Sequence, residues 1–209
     1  MPKAFNETER ERLRGKLIDA GKKLMNQRGL KGMSVDEIAQ AVGIAKGSFY
    51  SFFPSKEEFA MCVLESWEER FRAETFAQAF SGGVGLREGF RRLFQASFAI
   101  MEKEPGIASL AATDVAQLEA RLPPERIAAH KARDAEFQRR FLEGMTANGE
   151  LRKIDEATMR GVFMAPFFLA LHRDDFGGAE WKAFSEAFAG MASAWLVPGV
   201  TEETGEGSI

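Results

Sequence analysis

An all-α protein of about nine helices, three short ones followed by a larger helical body, is what the 209-residue sequence predicts. Three observations carry that expectation. Apolar residues recur at steps of three and four almost everywhere, the spacing that lines one face of a helix. Neither the two-residue alternation of a half-buried strand nor an internal repeat is found. Turn-forming clusters at Ser81-Gly82-Gly83, Pro123-Pro124, Asn148-Gly149 and Gly177-Gly178 punctuate the chain.

Leu13, Leu17, Ala20 and Leu24 form the stripe of a first helix, which Gly29 stops. Val35, Ile38, Ala39 and Val42 form a short second stripe ended by Gly43, and Phe49, Phe52 and Phe53 sit on a third short helix before Pro54. A long fourth helix begins with Phe59, Val63, Trp67 and Phe71. Leu86, Phe90, Leu93, Phe94, Phe98 and Met101 mark a fifth. Pro105, a residue suited to a first helical turn, opens a sixth that carries Ile107, Leu110, Ala111 and Leu118. The seventh carries Ile127, Phe137, Phe141 and Met145. Met159, Phe163, Phe167 and Ala170 mark an eighth, kinked at Pro166 where an N–H is missing. Trp181, Phe184, Phe188, Met191 and Trp195 mark the ninth. The expected domains are 1–55, then 56–198 with the fourth helix bridging the two, and a flexible tail over 199–209.

A chain that is 45% hydrophobic can bury a real core. It has no apolar run long enough to span a bilayer. The opening stretch MPKAFNETERERLRGK lacks the apolar segment of a signal peptide, so the expected location is the cytoplasm and no membrane partner is expected. Cys62 is the only cysteine, which rules out an intrachain disulfide and a four-thiolate zinc site. The net charge of -3 is unevenly placed. Residues 1–60 hold eleven Lys/Arg against eight Asp/Glu, and the remainder holds seventeen against twenty-three. A basic first quarter on an acidic body implies that one end meets an anion. His130 and His172 fall in different predicted segments, neither in a metal-spaced cluster. There is no G-x-S-x-G elbow and no phosphate loop. Neither catalysis nor a cofactor nor a metal is expected.

The informative stretch is SVDEIAQAVGIAKGSFYSFFPSK, residues 34–56. Ser34 and Glu37 have the spacing of a capping box that starts the second helix, and Gly43 suits a turn with positive φ. Ile44 plugs that turn into the core, and another short helix starts near Ala45 or Lys46. Two short helices joined by a glycine turn follow the helix-turn-helix plan, in which the second helix enters the major groove. Lys46, Gly47, Ser48 and Tyr50 lie on its outer side, while Phe49 and Phe53 can face inward. Gly47 costs about 1 kcal/mol relative to alanine in a helix. Close approach to DNA and close packing on the preceding helix are the two reasons to keep it. Ser55 and Glu58 make a second box, placing Lys56 at the start of the fourth helix within reach of a phosphate.

Here the sequence resembles the TetR family of one-component transcriptional regulators. The resemblance runs through IAQAVGIAKGSFYSFFPSKEEF, residues 38–59, and rests on Ile38-Ala39, Gly43, Gly47, Tyr50, Phe53 and Lys56 at their spacings. It implies a repressor that binds a palindromic operator in double-stranded DNA as a homodimer and is released by a small-molecule effector. It further implies that Tyr50 and Lys56 hold phosphates and that residues among Ala45, Lys46, Gly47, Ser48 and Phe49 read bases, with Ser34 completing the candidate contact set. Two positions depart from the family pattern. Ala45 replaces the usual Ser or Thr cap, worth about 1 kcal/mol. Phe52 stands where a polar-tipped ring is frequent. Arg10, Arg12, Arg14 and Lys16, in an expected N-terminal arm, are the candidates to compensate.

The body is rich in phenylalanine. Phe94, Phe98, Met101, Gln117, Phe137, Phe141, Phe163 and Phe167 are the candidate lining of a site for an apolar or aromatic effector, with Asp114, His130, Arg133 and His172 as further polar candidates. Core packing is the competing reading for each ring. The resemblance implies a dimer face on the last two helices, for which Met159, Phe163, Phe167, Phe184, Phe188, Met191 and Trp195 are the candidates. Alternative functions are redox or electrophile sensing through Cys62, transcriptional activation, or a helical enzyme.

Overall fold

The computed structural model describes residues 6–104, 112–146 and 151–199. Among them the order is α1 (Glu7–Arg28), α2 (Val35–Val42), α3 (Lys46–Phe49), α4 (Lys56–Ala79), a 3-10 turn at Ser81–Gly83, α5 (Leu86–Lys103), α6 (Ala112–Glu119), α7 (Pro124–Thr146), α8 (Glu156–Ala170), a second 3-10 turn at Arg173–Asp175, and α9 (Gly178–Leu196). The described residues form nine α-helices and no strand. The expected helix positions Pro105, Ile107, Leu110 and Ala111, the Asn148-Gly149 break and residues 200–209 of the tail lie outside the described residues, as does the side chain of Asp114. No described helix is long and apolar enough to cross a membrane.

The chain divides into two compact units: the described residues of Met1–Ala73 and Met101–Arg133, and those of Glu74–Ile100 and Asp134–Ile209. Helices α4, α5 and α7 each contribute residues to both.

In the first unit the buried face of α1 is Leu13, Leu17, Ile18, Gly21 and Met25, whereas Ala20 and Leu24 are only half-buried. The expected stripe is therefore turned slightly about the axis. The reason is Gly21, where an added Cβ would stand 2.5 Å from the Phe59 ring and 2.7 Å from Val63. Helix α4 approaches closely there, and a glycine is invisible to an apolar pattern. Phe49, Phe53 and Phe59 close the core beneath α2 and α3, with ring centroids 4.9–5.6 Å apart. All three are essentially fully buried, so each contributes a large apolar area.

Helix α4 is fixed at its start by the Glu58 N–H, which donates to Ser55 Oγ at 3.0 Å. The Glu58 carboxylate does not complete the expected box. It accepts from Arg126 Nε at 2.7 Å, and the rest of that guanidinium donates to both oxygens of Glu65, also at 2.7 Å. Arg133 also donates to Glu65, and His130 Nδ1 lies 3.3 Å from it. Burial alone would raise the Glu65 pKa, but the Arg126 hydrogen bonds and the charges of Arg126, Arg133 and His130 outweigh it and hold the carboxyl below its ordinary value of 4.5. A depressed folded-state pKa stabilises above the unfolded value and is lost as pH falls through the folded one. Arg126→Met is therefore expected to lower stability by about 1–3 kcal/mol at pH 7. That gap should shrink steadily below about pH 4.5 as Glu65 protonates. Urea midpoints across pH 3–7 measure it, and a gap independent of pH would remove the pair from the account.

The second unit is built on Ala79, Phe90, Leu93, Phe94, Leu151, Met159, Ala189, Leu196 and Val197, with Phe76, Phe80, Phe141, Phe163 and Phe188 packed around them. Pro166 lies inside a helix that is continuous from Glu156 to Ala170. Asp155 caps that helix, accepting from the Thr158 N–H at 2.9 Å. The end of α9 is tied down by Arg152 Nε donating to the Trp195 carbonyl at 2.7 Å and Arg87 Nε donating to that of Val197 at 2.9 Å.

Candidate nucleic-acid interface

Helix α2 starts at Ser34, whose Oγ accepts from the Glu37 N–H at 3.5 Å, and stops at Gly43 in the left-handed region, φ 77° and ψ 31°. The Gly43 N–H returns to the carbonyls of Ala39 and Gln40, and the Ile44 N–H to that of Ala39 at 3.0 Å. Ile44 itself is only half-buried. The chain leaves extended at Ala45, which caps α3 without any side-chain bond, as its lack of a hydroxyl requires. Helix α3 is thus a single short turn held from behind by the phenylalanines of the core.

That arrangement sorts the candidate contact residues. Ala45, Lys46 and Gly47 are exposed, Ser48 is half-buried, and Tyr50 is 46% exposed, its ring set edge-on against Phe49 at 5.3 Å. Phe49 is a correction to the candidate set. It is fully buried and has no surface to offer a duplex, so it supports α3 from beneath. Ser34 is half-buried with its hydroxyl engaged in the cap. At Gly47 an added Cβ would meet nothing within 4 Å, so close packing on α2 is not what keeps a glycine there. Lys56, the first residue of α4, flanks an open cavity of about 220 Å³ together with Lys31, Glu57, Gln117 and Arg121.

Several contacts here have no counterpart in sequence spacing. Lys46 Nζ donates to Asp36 Oδ2 at 2.8 Å, which raises the lysine pKa chiefly through that hydrogen bond. Arg28 donates to Glu37 at 2.9 Å, so the Glu37 carboxylate turns away from Ser34 and the first capping box is only half made. Arg10, Arg12, Arg14 and Lys16 belong to α1 rather than to an arm. Arg10 donates to the Ser51 carbonyl and stands over the Phe52 ring, 5.1 Å from its centre. Arg14 stands over Phe53 at 5.0 Å and donates to Cys62 Sγ at 3.4 Å. A guanidinium over each ring braces the segment after α3.

Cys62 is buried, and burial pushes its thiol above the ordinary value, with Arg14 pulling the other way. A reactive thiolate is not favoured there. His130 lies among carboxylates of α4, 3.3 Å from Glu65 and 4.0 Å from Glu68, a neighbourhood its place in the sequence does not disclose. The exposed His172 lies 3.2 Å from Asp175.

The effector candidates separate between the units. Phe94, Phe137, Phe141 and Phe163 join the rings of the second unit, centred on Phe76, which lies 4.7 Å from Phe141 and 5.1 Å from Phe137. Phe98 packs on Trp181 and Phe188, and Phe167 is half-buried. Met101 and Gln117 belong to the first unit, Met101 fully buried and Gln117 exposed. Sequence reasoning missed Thr75, one residue before Phe76. It is 2% exposed, and among the described residues its hydroxyl has no hydrogen-bond partner.

The dimer candidates also need correction. Met159 is buried in its own unit's core, and the Phe163 ring packs among Phe76, Phe90, Phe94 and Phe141. Phe184 lies against Phe176 and Trp181, and Phe188 against Phe94 and Phe98. The large apolar side chains left exposed on α8 and just after it are Met164, Phe168 and Leu171, and on α9 Met191 and Trp195.

Two caps, a left-handed glycine and an outward-facing short helix define a helix-turn-helix protein with a helical body. Residues 17–60 match the family described as "Bacterial regulatory proteins, tetR family". The transcriptional regulator AcuR of Cereibacter sphaeroides is 37% identical over 67 residues, 32% of this chain and 30% of that protein. The repressor NemR of Escherichia coli is 43% identical over 49 residues, 23% of this chain and 25% of that protein. These matches thus span less than a third of the curated relatives' length. The fold of the transcriptional regulator FadR from Bacillus subtilis, solved in complex with stearoyl-CoA, superimposes with a TM-score of 0.59 at 16% identity, covering 87% of this chain and 98% of that one. Residues 17–60 thus carry the segment matched by the TetR family model, and the described helical fold is shared with a solved transcriptional regulator.

Proposed function

We propose that this protein is a transcriptional repressor that binds a palindromic operator as a homodimer and leaves it when a small apolar or aromatic effector binds. The observation that carries the reading is the outward face of α3. Lys46, Gly47 and Tyr50 are exposed on a turn whose underside is sealed by Phe49, and among the described residues a Cβ added at Gly47 would meet nothing within 4 Å. An open glycine on a basic helix lets a duplex backbone or base edge come close. The curated relatives are regulators or repressors, which supports the same direction.

Two copies would join through the exposed apolar residues of α8 and α9, including Met191 and Trp195 from the sequence candidates. The two recognition helices would then address half-sites about 34–36 Å apart or a multiple of that. The functional division stays at residues 55/56, with α4 linking DNA-binding and regulatory parts. The effector would enter among Phe76, Phe137, Phe141 and Phe163, and the buried Thr75 hydroxyl on the same helix as Phe76 is the candidate polar anchor, since a buried polar group without a partner is costly. FadR of Bacillus subtilis, a similar fold, is solved in complex with stearoyl-CoA, a ligand whose acyl chain is apolar. A ligand that favours one separation of the two α3 helices shifts the population toward it.

Titration with labelled duplexes from upstream of the protein's own coding sequence tests the DNA reading. Binding should fall steeply with salt. Tyr50→Phe and Lys56→Ala should each weaken binding to all sequences several-fold, and the lysine change should flatten the salt dependence by about one ion. Gly47→Ala should weaken binding while leaving the fold as stable or up to about 1 kcal/mol more so. Affinities equal to the unaltered chain would strike these residues from the contact list.

A further inference from the structure

Helices α2 and α3 are joined by an ion pair that stability does not explain. Lys46 Nζ lies 2.8 Å from Asp36 Oδ2, with the two side chains 54% and 65% exposed. An exposed pair of this kind contributes about 1 kcal/mol at most. Its position is more telling. Lys46 is the first residue of α3, on the outward side with Gly47 and Tyr50. Asp36 lies in the first turn of α2, next to Glu37, whose carboxylate is held by Arg28 at 2.9 Å. A carboxylate beside a surface that meets phosphates lowers affinity for every duplex. A free lysine there would do the opposite, since a flexible point charge binds any phosphate it can reach.

We propose that Asp36 is a specificity-determining residue: its carboxylate withholds Lys46 from the backbone of arbitrary DNA and releases it only to an acceptor-bearing base edge of the operator. The inference rests on the reading of α3 as the recognition helix. Discrimination of this sort comes from a penalty against the wrong partner as much as from a contact with the right one. A phosphate offers the ammonium no more than the carboxylate already does. A guanine edge, with O6 and N7 side by side in the major groove, offers two acceptors at once and is reached only when the rest of α3 is seated. Asp36 is thus a positioning residue, acting through Lys46 rather than on the DNA.

The test uses the full chain, unaltered and as Asp36→Asn, Lys46→Ala and the double variant. Two duplexes of equal length serve as probes, one selected by the unaltered protein from a randomised pool and one scrambled. One extra phosphate contact is worth about eightfold in affinity at 0.1 M salt. Asp36→Asn should therefore bind the scrambled duplex roughly eightfold more tightly, with a salt dependence steeper by about one ion. It should change affinity for the selected duplex less than about twofold, narrowing the ratio between the two. In the Lys46→Ala background the same change should leave that ratio where it was. Asp36→Asn is isosteric and exposed, and a urea midpoint confirms that the fold is retained. An unchanged ratio overturns the proposal. So does a narrowing that persists without Lys46, which would make Asp36 only a bulk repulsive charge. Enrichment of no duplex by the unaltered protein overturns the DNA reading itself, a result distinct from either.

Discussion

Phe168→Glu is expected to convert the proposed dimer to monomers at micromolar concentration, and to remove operator binding with it. Phe168 is 53% exposed, and Met164 and Leu171 precede and follow it on successive turns, with Met191 and Trp195 exposed on α9. Few monomers leave so many large apolar groups on two neighbouring elements of sequence without a partner. In a twofold interface each substitution counts twice. Losing two buried phenylalanines costs about 3–6 kcal/mol, which weakens dimerisation by roughly 10²–10⁴-fold before the cost of burying a charge is added. Because Phe168 lies outside the core of its own unit, helicity and the urea midpoint of the monomer should barely change. Sedimentation velocity on both proteins decides it. A monomeric unaltered chain, or an equally tight dimer in the variant, would sink this face as the interface.

The same helices mark where the sequence stops being legible. It placed α8 and α9 correctly as elements, because three- and four-residue apolar spacing survives any rotation about the axis. It did not say which face was inside. From Met159 to Ala170 helix α8 is apolar nearly all round, so Met159-Phe163-Phe167 and Met164-Phe168 are equally good stripes on paper. Only packing against Phe94 and its neighbours turns Phe163 inward and leaves Phe168 out. In α1 the opposite happened, and Gly21 hid the true centre of the buried face. Around α3 the backbone plan was readable, since Ser34, Gly43 and Ala45 act on their immediate neighbours. The pairs that set its charge, Lys46 with Asp36 and Arg28 with Glu37, join residues ten and nine positions apart and follow only from how the helices meet.

Phe49→Ala should be the most destabilising single truncation in the candidate interface. The ring is fully buried and contacts Tyr50, Phe53 and Phe59 at 5.1–5.6 Å. Deleting a buried phenylalanine to alanine costs about 3–5 kcal/mol, the spread reflecting how far the site collapses. Here α3 has only four residues and no side-chain cap, so that ring is its one fully buried anchor in the core. DNA affinity should fall in step with stability, whereas Tyr50→Phe, one residue on and half exposed, should lower affinity with the urea midpoint unchanged. Recovery of affinity by Phe49→Leu would tie the loss to the filling of the space under α3. Loss of affinity in Phe49→Ala without loss of stability would instead make this ring a direct contact and contradict its burial.

The openness of Gly47 has an evolutionary side. Ala45, Lys46 and Gly47 carry none of the core, and glycine is already the costlier choice for a helix. If α3 reads bases as proposed, mutations at these codons would redirect the protein to a new target sequence while folding is left untouched. On that reading, descendants of this chain would exchange the genes they govern more readily than the architecture that governs them.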